Sequence, residues 1–279
     1  MIHVSEFNSI KQISGPVLIT GHTGFKGTWL TLILEALGIP TCGYSLPPEE
    51  RSLYGISNRN GKINETFSDI RDFESVNNFI RQTKPSLIVH LAAQPLVLES
   101  YNNPKLTFET NVLGTLNILE SGFKSDSVKG ILVATTDKVY RNTNSNKRFT
   151  ETDPLEGSDP YSSSKVAAEA VVKAWQKIRS ISSGPSVLIA RAGNVIGGGD
   201  ICVDRLIPDL VKSYSVGNMP KLRFPESVRP WQHVLDCLNG YLKLVDALLS
   251  GFGSGIWNIG PEKSEMRTVS DVANIAANT

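Results

Sequence analysis

Pro16-Val17-Leu18-Ile19-Thr20-Gly21-His22-Thr23-Gly24-Phe25-Lys26-Gly27 is the stretch whose reading decides the fold. Pro16 to Thr20 is a short apolar run that stops at glycines, the pattern of a buried parallel strand. Thr28-Trp-Leu-Thr-Leu-Ile-Leu-Glu-Ala-Leu37 then supplies good helix formers and ends at Gly38. Between them, Gly21, Gly24 and Gly27 make a GxxGxxG spacing rather than GxGxxG. Glycine allows a tight turn and a close backbone approach to a pyrophosphate. The helix that starts near Phe25 offers free N–H groups and the positive end of its dipole. A strand, a glycine turn and a helix in this order predict a site for a dinucleotide diphosphate.

The acidic residue that would hold the ribose hydroxyls of NAD and repel the extra phosphate of NADP is expected after the second strand. Tyr44-Ser45-Leu46-Pro47-Pro48 stands there instead. This position therefore leaves NAD and NADP open, with Arg51 and Arg59 downstream as candidates for a 2′-phosphate.

Further along, Ile39–Tyr44, Pro85–Leu91, Gly130–Ala134 and Ser186–Ala190 read as short apolar strands. Helices are predicted from Pro104 to Ser121, with Val112, Leu116 and Leu119 on one side, and from Tyr161 to Arg179. Alternating strands and helices predict an α/β fold built on a doubly wound parallel sheet. On such sheets ligands sit beyond the carboxyl ends of the strands, so Gly21, Ala93, Thr136 and Asn194 should converge on one crevice. After Ala192 the texture changes to glycines, prolines and short elements. This predicts a dinucleotide-binding domain over 1–192 and a smaller C-terminal substrate-binding lobe over 193–279.

Asp159-Pro160-Tyr161-Ser162-Ser163-Ser164-Lys165 carries the second motif. Tyr161 and Lys165 are four residues apart on a helix and share a face. A nearby ammonium stabilises a phenolate, so Lys165 is expected to lower the pKa of Tyr161 and make it a usable base. Thr136-Asp137-Lys138 closes a strand where side chains are delivered to the crevice. A threonine hydroxyl there can orient a substrate hydroxyl, and the adjacent carboxyl and amine form an acid/base pair.

Composition narrows the partners. With 28 basic against 27 acidic residues the net charge is +1, without the basic excess or stripe of a nucleic-acid-binding protein. Cys42, Cys202 and Cys237 are scattered and lack CxxC spacing, so neither a disulfide framework nor a zinc site is expected. His3, His22, His90 and His233 show no metal spacing; His22 lies in the glycine turn, and His90 reads as a satisfied core histidine. Met1–Glu6 lacks a secretory pattern, and no run approaches the roughly 18–20 apolar residues of a membrane span. A cytoplasmic protein without membrane partners is expected.

Several runs together resemble the extended short-chain dehydrogenase/reductase family, with its NAD-dependent epimerases and dehydratases, over nearly the whole chain. They are Thr20–Gly27, Leu91-Ala-Ala-Gln-Pro-Leu-Val97, Thr110-Asn-Val-Leu-Gly-Thr115, Thr136-Asp-Lys-Val-Tyr140, Arg191-Ala-Gly-Asn-Val-Ile-Gly-Gly-Gly-Asp200, Asp204-Arg-Leu-Ile-Pro208 and Arg229-Pro-Trp-Gln-His-Val234. The resemblance implies a Rossmann fold, NAD as cofactor, and 4,6-dehydration of a nucleotide sugar, with CDP-glucose favoured. It implies that Gly21, Gly24 and Gly27 line the diphosphate with His22, Phe25 and Lys26 around them. Asp69 and Ile70 would stand beside the adenine, Ala92, Ala93 and Gln94 along the diphosphate and nicotinamide, and Tyr161 and Lys165 at the nicotinamide ribose. Thr136, Asp137, Lys138, Tyr161 and Lys165 would carry the chemistry, and Asn194, Arg205 and Arg229 would meet the sugar nucleotide. A homodimer is implied through the helices from Pro104 and Tyr161, whose apolar faces include Val166, Ala170 and Ala174.

Three features depart from the family pattern. Lys26 stands where most members have an apolar residue, Lys138 stands where many hexose dehydratases have glutamate, and the chain is shorter than usual, so its second lobe is expected to be short. A 4-epimerase or 4-keto reductase would keep Tyr161 and Lys165 but would not need Asp137 and Lys138. A non-catalytic nucleotide-binding protein is a further alternative.

Overall fold

The computed structural model describes residues 7–143, 147–262 and 266–277; Met1–Glu6, and with it His3, lies outside them. Strands and helices alternate from the start: β1 (Val17–Thr20), α1 (Phe25–Ala36), β2 (Thr41–Ser45), α2 (Leu53–Ile56), β3 (Asn64–Phe67), α3 (Phe73–Thr83) and β4 (Leu87–His90). Next come α4 (Val97–Asn102), α5 (Pro104–Phe108), α6 (Gly114–Phe123), β5 (Gly130–Thr136), α7 (Pro160–Ile181) and β6 (Ser186–Ala192). The remainder is β7 (Val195–Ile196), α8 (Leu206–Ser215), β8 (Val228–Arg229), β9 (Gln232–His233), α9 (Val234–Ala247), β10 (Gly255–Ile259), β11 (Arg267–Thr268) and α10 (Val269–Ala277).

Seven strands form one parallel sheet in the order β10-β6-β5-β4-β1-β2-β3. Alternate side chains of each strand enter opposite apolar layers. Val17, Ile19, Leu87, Val89 and Leu132 meet α1 and α9 through Leu30, Leu34, Leu238 and Tyr241. Leu18, Ile88, Ile131, Val187 and Ile189 meet α3, α6 and α7 through Phe79, Ile118, Leu119 and Val172. Burial on both faces explains the continuous apolar runs of β1 and β4. The chain winds outward in opposite directions from β1 and β4, so the crevice for a ligand opens at their carboxyl ends.

The structure alters two sequence expectations. The helix expected from Pro104 to Ser121 is interrupted by a π turn at Glu109–Leu113 between α5 and α6. One extra residue per turn rotates the inward face. Thr107, Asn111, Thr115 and Leu119 are buried, whereas Val112 and Leu116 of the expected stripe are only half-buried and Leu113 is 49% exposed. The boundary after Ala192 is not a boundary in space. The chain returns after β9: α9 supplies much of one apolar layer, and β10 pairs in parallel with β6 from Gly255↔Leu188 to Ile259↔Ala192.

Candidate active site

The glycine turn fits a dinucleotide diphosphate by what each glycine leaves open. Gly21 has φ +71°, and a Cβ there would lie 2.8 Å from the Ala92 nitrogen. A Cβ on Gly27 would lie 2.1 Å from the Gly21 carbonyl oxygen. These two are glycine because the turn and α1 close on themselves. Gly24 differs: its Cβ would meet one atom only, the Gly21 oxygen at 3.3 Å. It caps the 12-residue helix α1 with an extended backbone and no side-chain cap. The open flank of Gly24 before unsatisfied helix amides is a cradle that a Cβ would fill and a diphosphate suits.

Around this cradle the expected residues divide. The His22 ring is fully buried, its Nε2 is 2.8 Å from Glu65 Oε2, and it packs edge-on to Tyr54 and flat on Phe67. Burial lowers its pKa, opposed by the Glu65 carboxylate. The imidazole thus braces the turn against β3 and does not enter the crevice. Phe25 is half-buried against the α1 apolar layer. Lys26 Nζ donates to Tyr241 Oη at 3.1 Å, and burial, with Arg205 adding to it, depresses its pKa. Asp69 is held below the usual carboxylate range by Arg71, and Ile70 is buried beneath Gly114. The Ala92 amide donates to Thr20 Oγ1 at 3.2 Å, and Ala93 follows at the same carboxyl end. Gln94 is tied to its own loop, its Nε2 donating to Thr107 Oγ1 at 2.9 Å and its Oε1 accepting from Leu96 N at 2.6 Å. Arg59 is buried and ion-paired with Glu35 through Nη1; Arg51 is exposed. His90 is the expected core histidine, between Thr20 Oγ1 at 2.7 Å and Thr115 Oγ1 at 3.1 Å, with burial lowering its pKa to about 3.

The start of α7 is fixed from several sides. Asp159 and Ser162 form a reciprocal capping box with Pro160 at the first helical position, and Tyr161 N donates to Ser100 Oγ at 3.1 Å. Lys165 Nζ donates to the Ala134 carbonyl at 3.3 Å. Burial lowers the Lys165 pKa to about 8; Lys26 adds to the fall and Glu169 opposes it. The effect expected on Tyr161 is not the one found. Burial pushes its phenol up to about 12, and the groups pulling it down are the Thr136 hydroxyl and Arg205 rather than Lys165. Desolvation of the phenolate outweighs the charges near it.

Thr136 ends β5 and opens a 3₁₀ turn, Asp137–Val139, accepting from Lys138 N at 3.3 Å and donating to Asp137 Oδ1 at 3.1 Å. Burial raises the Asp137 pKa, opposed by Lys138, Thr136 and Arg229. Burial lowers the Lys138 pKa, opposed by Asp137 and Asp159, and its ammonium stands 5.7 Å from the centre of the Tyr161 ring. Desolvation thus moves a carboxylic acid and an amine toward neutrality side by side, the condition for acid and base work in one site.

Asn194 and Arg229 line a cavity of about 240 Å³ with Asp204, Asp209, Arg223 and Trp231. Arg205 pairs with Asp200 Oδ2 at 2.9 Å, and its charge is felt at Tyr161, Lys138 and Lys26. Arg229 acts in the same way on Asp137 and Lys138. Two guanidinium groups therefore act electrostatically on the place where Thr136, Asp137, Lys138 and Tyr161 meet.

Sequence reasoning missed Asn111, which lies in the π turn. Its Oδ1 accepts from Gln94 N at 2.8 Å, and its Nδ2 donates to Gln94 O at 3.1 Å and to Ser164 Oγ at 2.9 Å, joining the β4 loop to α7. The available signal was a lone asparagine inside an apolar helical pattern. Glu169, one turn after Lys165, was missed as well; a charge on the inward face of a helix was its signal.

Residues 17–260 match the model of the NAD dependent epimerase/dehydratase family. The chain is 42% identical to CDP-glucose 4,6-dehydratase of Salmonella typhimurium over 262 residues, 91% of this chain and 73% of that protein. Among solved structures, UDP-glucose 4-epimerase of Thermus thermophilus in complex with NAD superposes with a TM-score of 0.79 at 26% identity, covering 94% of this chain and 82% of that one. A dTDP-glucose 4,6-dehydratase of Streptomyces venezuelae with NAD bound gives 0.79 at 25% identity, covering 94% and 80%. Epimerase and dehydratase share this backbone, so the fold alone does not separate their reactions. A parallel sheet wound outward from β1, a glycine cradle at its crevice, a YxxxK helix beside it and a family match over 17–260 lead to one conclusion: the chain belongs to the NAD dependent epimerase/dehydratase family.

Proposed function

We propose that this chain is an NAD-dependent nucleotide-sugar 4,6-dehydratase that converts CDP-glucose to CDP-4-keto-6-deoxyglucose. The observation that carries this reading is the placement of Asp137 and Lys138 together in the turn that closes β5, with the Lys138 ammonium 5.7 Å from the centre of the Tyr161 ring. An epimerase or a 4-keto reductase has no use for such a pair. The similarity to a CDP-glucose 4,6-dehydratase over 91% of the chain supports the substrate.

In this reading Gly21, Gly24, Gly27 and the first turn of α1 hold the cofactor diphosphate, Asp69 and Ile70 border the adenine, and Lys165 holds the nicotinamide ribose. NAD held there would supply the hydride acceptor for the oxidation and, once reduced, a hydride donor. Tyr161 takes the proton from the C4 hydroxyl, which Thr136 orients. The ketone formed at C4 acidifies the C5 hydrogen. Lys138, whose pKa burial lowers, or a water it positions, removes that proton. Asp137, whose pKa burial raises, protonates the C6 hydroxyl as it departs as water. Asn194, Arg205 and Arg229, from the 193–279 part of the chain, hold the sugar and diphosphate, a task suited to the paired donors of a guanidinium.

The assembly proposed is a homodimer through α4 to α7. Tyr101 and Leu113 are exposed there, as are Ala170 and Ala174 on α7. A cytoplasmic location accords with free cysteines at Cys42, Cys202 and Cys237. Among the described residues no helix is long and apolar enough to cross a membrane.

Mass spectrometry of CDP-glucose incubated with the protein and NAD, with UDP-, dTDP- and GDP-sugars in parallel, tests the reading. Loss of one water from CDP-glucose alone is expected. Loss from another nucleotide sugar only would move the substrate, and conversion without water loss would replace the dehydratase by an epimerase or reductase.

A further inference from the structure

A buried polar cluster next to the Asp137–Val139 turn takes no part in the steps above. Arg191 and Glu169 are 1% and 0% exposed and form a two-pronged ion pair, with Arg191 Nε donating to Glu169 Oε1 at 2.8 Å and Nη2 donating to Oε2. Thr135 Oγ1 also donates to Glu169, at 2.8 Å. The remaining guanidinium nitrogen, Arg191 Nη1, donates to Tyr140 Oη at 2.7 Å and to Glu151 O at 3.2 Å. Tyr140 Oη donates to Asn258 Oδ1 at 2.6 Å. Asn258 N donates to Glu151 Oε1 at 2.8 Å and its Nδ2 to Phe149 O at 3.1 Å. The Tyr140 ring lies under the guanidinium, 4.8 Å away, and stacks on Phe149.

Stability alone does not account for such a cluster, because a buried ion pair gains little over apolar residues of equal volume. Position does. Glu169 lies one helical turn beyond Lys165 on the same face of α7. Tyr140 is the residue that follows the turn carrying Asp137 and Lys138. The cluster therefore ties the helix of the C4 step to the turn of the water-loss step, and anchors both to β6 and β10. Tyr161 and Lys165 have anchors of their own in the Asp159–Ser162 box, Ser100 and Ala134. The far end of the turn is held through backbone by Glu156 N to Val139 O and Arg141 N to Pro154 O, both at 2.9 Å, and through side chains by Tyr140, its ring on Phe149 and its hydroxyl between Arg191 and Asn258.

We propose that Tyr140 is a positioning residue for water loss: its hydroxyl, held between Arg191 and Asn258, sets Asp137 and Lys138 against the substrate while leaving the C4 step untouched. This rests on the dehydratase reading of the site. Misplacing a reacting group by about 1 Å costs on the order of a hundredfold in rate.

The test is stopped-flow absorbance at 340 nm together with mass spectrometry of the full chain carrying Tyr140→Phe, with NAD and CDP-glucose. NADH is expected to appear at the native rate and to persist, with KM unchanged and water loss slowed by roughly ten- to a hundredfold. Asn258→Ser, which removes the acceptor and keeps the tyrosine, is expected to give the same split and stands in if Tyr140→Phe does not fold. Native turnover in both variants overturns the proposal, as does an equal fall of NADH appearance and water loss. A native chain that releases water from no nucleotide sugar sinks the dehydratase reading and this one with it, whereas native turnover with an unsplit variant sinks only this one.

Discussion

Gly24 and Gly27 look alike in the sequence and serve different ends. A methyl group on Gly27 would drive into the Gly21 carbonyl at 2.1 Å, whereas one on Gly24 finds only that same oxygen at 3.3 Å. Gly27→Ala is expected to destabilise the cofactor-free protein by about 1–3 kcal/mol, the usual cost of overpacking. Gly24→Ala is expected to leave its melting temperature unchanged and to remove most of the stabilisation that added NAD confers; thermal melts with and without NAD separate the two. At Asp137 the expectation is chemical. Asp137→Asn keeps cofactor binding and slows water loss by at least about a hundredfold, since an amide cannot supply the proton; turnover assays with a cofactor titration decide this. Lys165 has a pKa lowered to about 8 from an ordinary value of 10.5. Below about pH 8 it is charged in both folded and unfolded chains, and folding carries the full cost of burying the ammonium. Between about 8 and 10.5 the unfolded chain holds the proton and the folded one does not, so stability rises with pH across that window. Lys165→Met is therefore expected to stabilise the cofactor-free protein by roughly 1–3 kcal/mol at pH 7, a gain that vanishes toward pH 10.5, while abolishing turnover. Denaturant midpoints at several pH values read this directly.

Local patterns carried most of the elements. The apolar run before Gly21, the helix formers after it and the helix carrying Tyr161 and Lys165 were legible because each is set within a few residues by periodicity. The π turn at Glu109–Leu113 was not. Nothing in the spacing of Val112, Leu116 and Leu119 announces an extra residue; the turn exists because Asn111 is drawn inward to Gln94 and Ser164, partners 17 and 53 residues away in sequence. Asn111→Leu leaves the Gln94 amide and the Ser164 hydroxyl without that partner. A loss of about 1–3 kcal/mol is expected in the urea midpoint, with a fall in turnover as α7 shifts.

At the level of the whole molecule, the return of the chain decides what the 193–279 part is. Pattern alone showed loops and short elements there, yet α9 and β10 complete the sheet domain while the stretch between them and β6 lines the cavity with Asn194 and Arg229. The face left by α5 to α7 carries exposed Phe108, Leu113 and Ala170. Light scattering is expected to give twice the 30.4 kDa of one chain, and Ala170→Arg is expected to lower that mass toward a single chain. What the sequence by itself determined is the doubly wound sheet, the cradle at Gly21–Gly27 and the residue types of the site, because these depend on short-range periodicity and backbone sterics. Only the tertiary structure decided that His22 is bound to Glu65 and Gln94 to its own loop, that Arg59 is bound to Glu35, and that desolvation outweighs the charges near the Tyr161 phenol. Burial and long-range pairing set the charge states of these groups, and neither is written in the spacing of neighbouring residues.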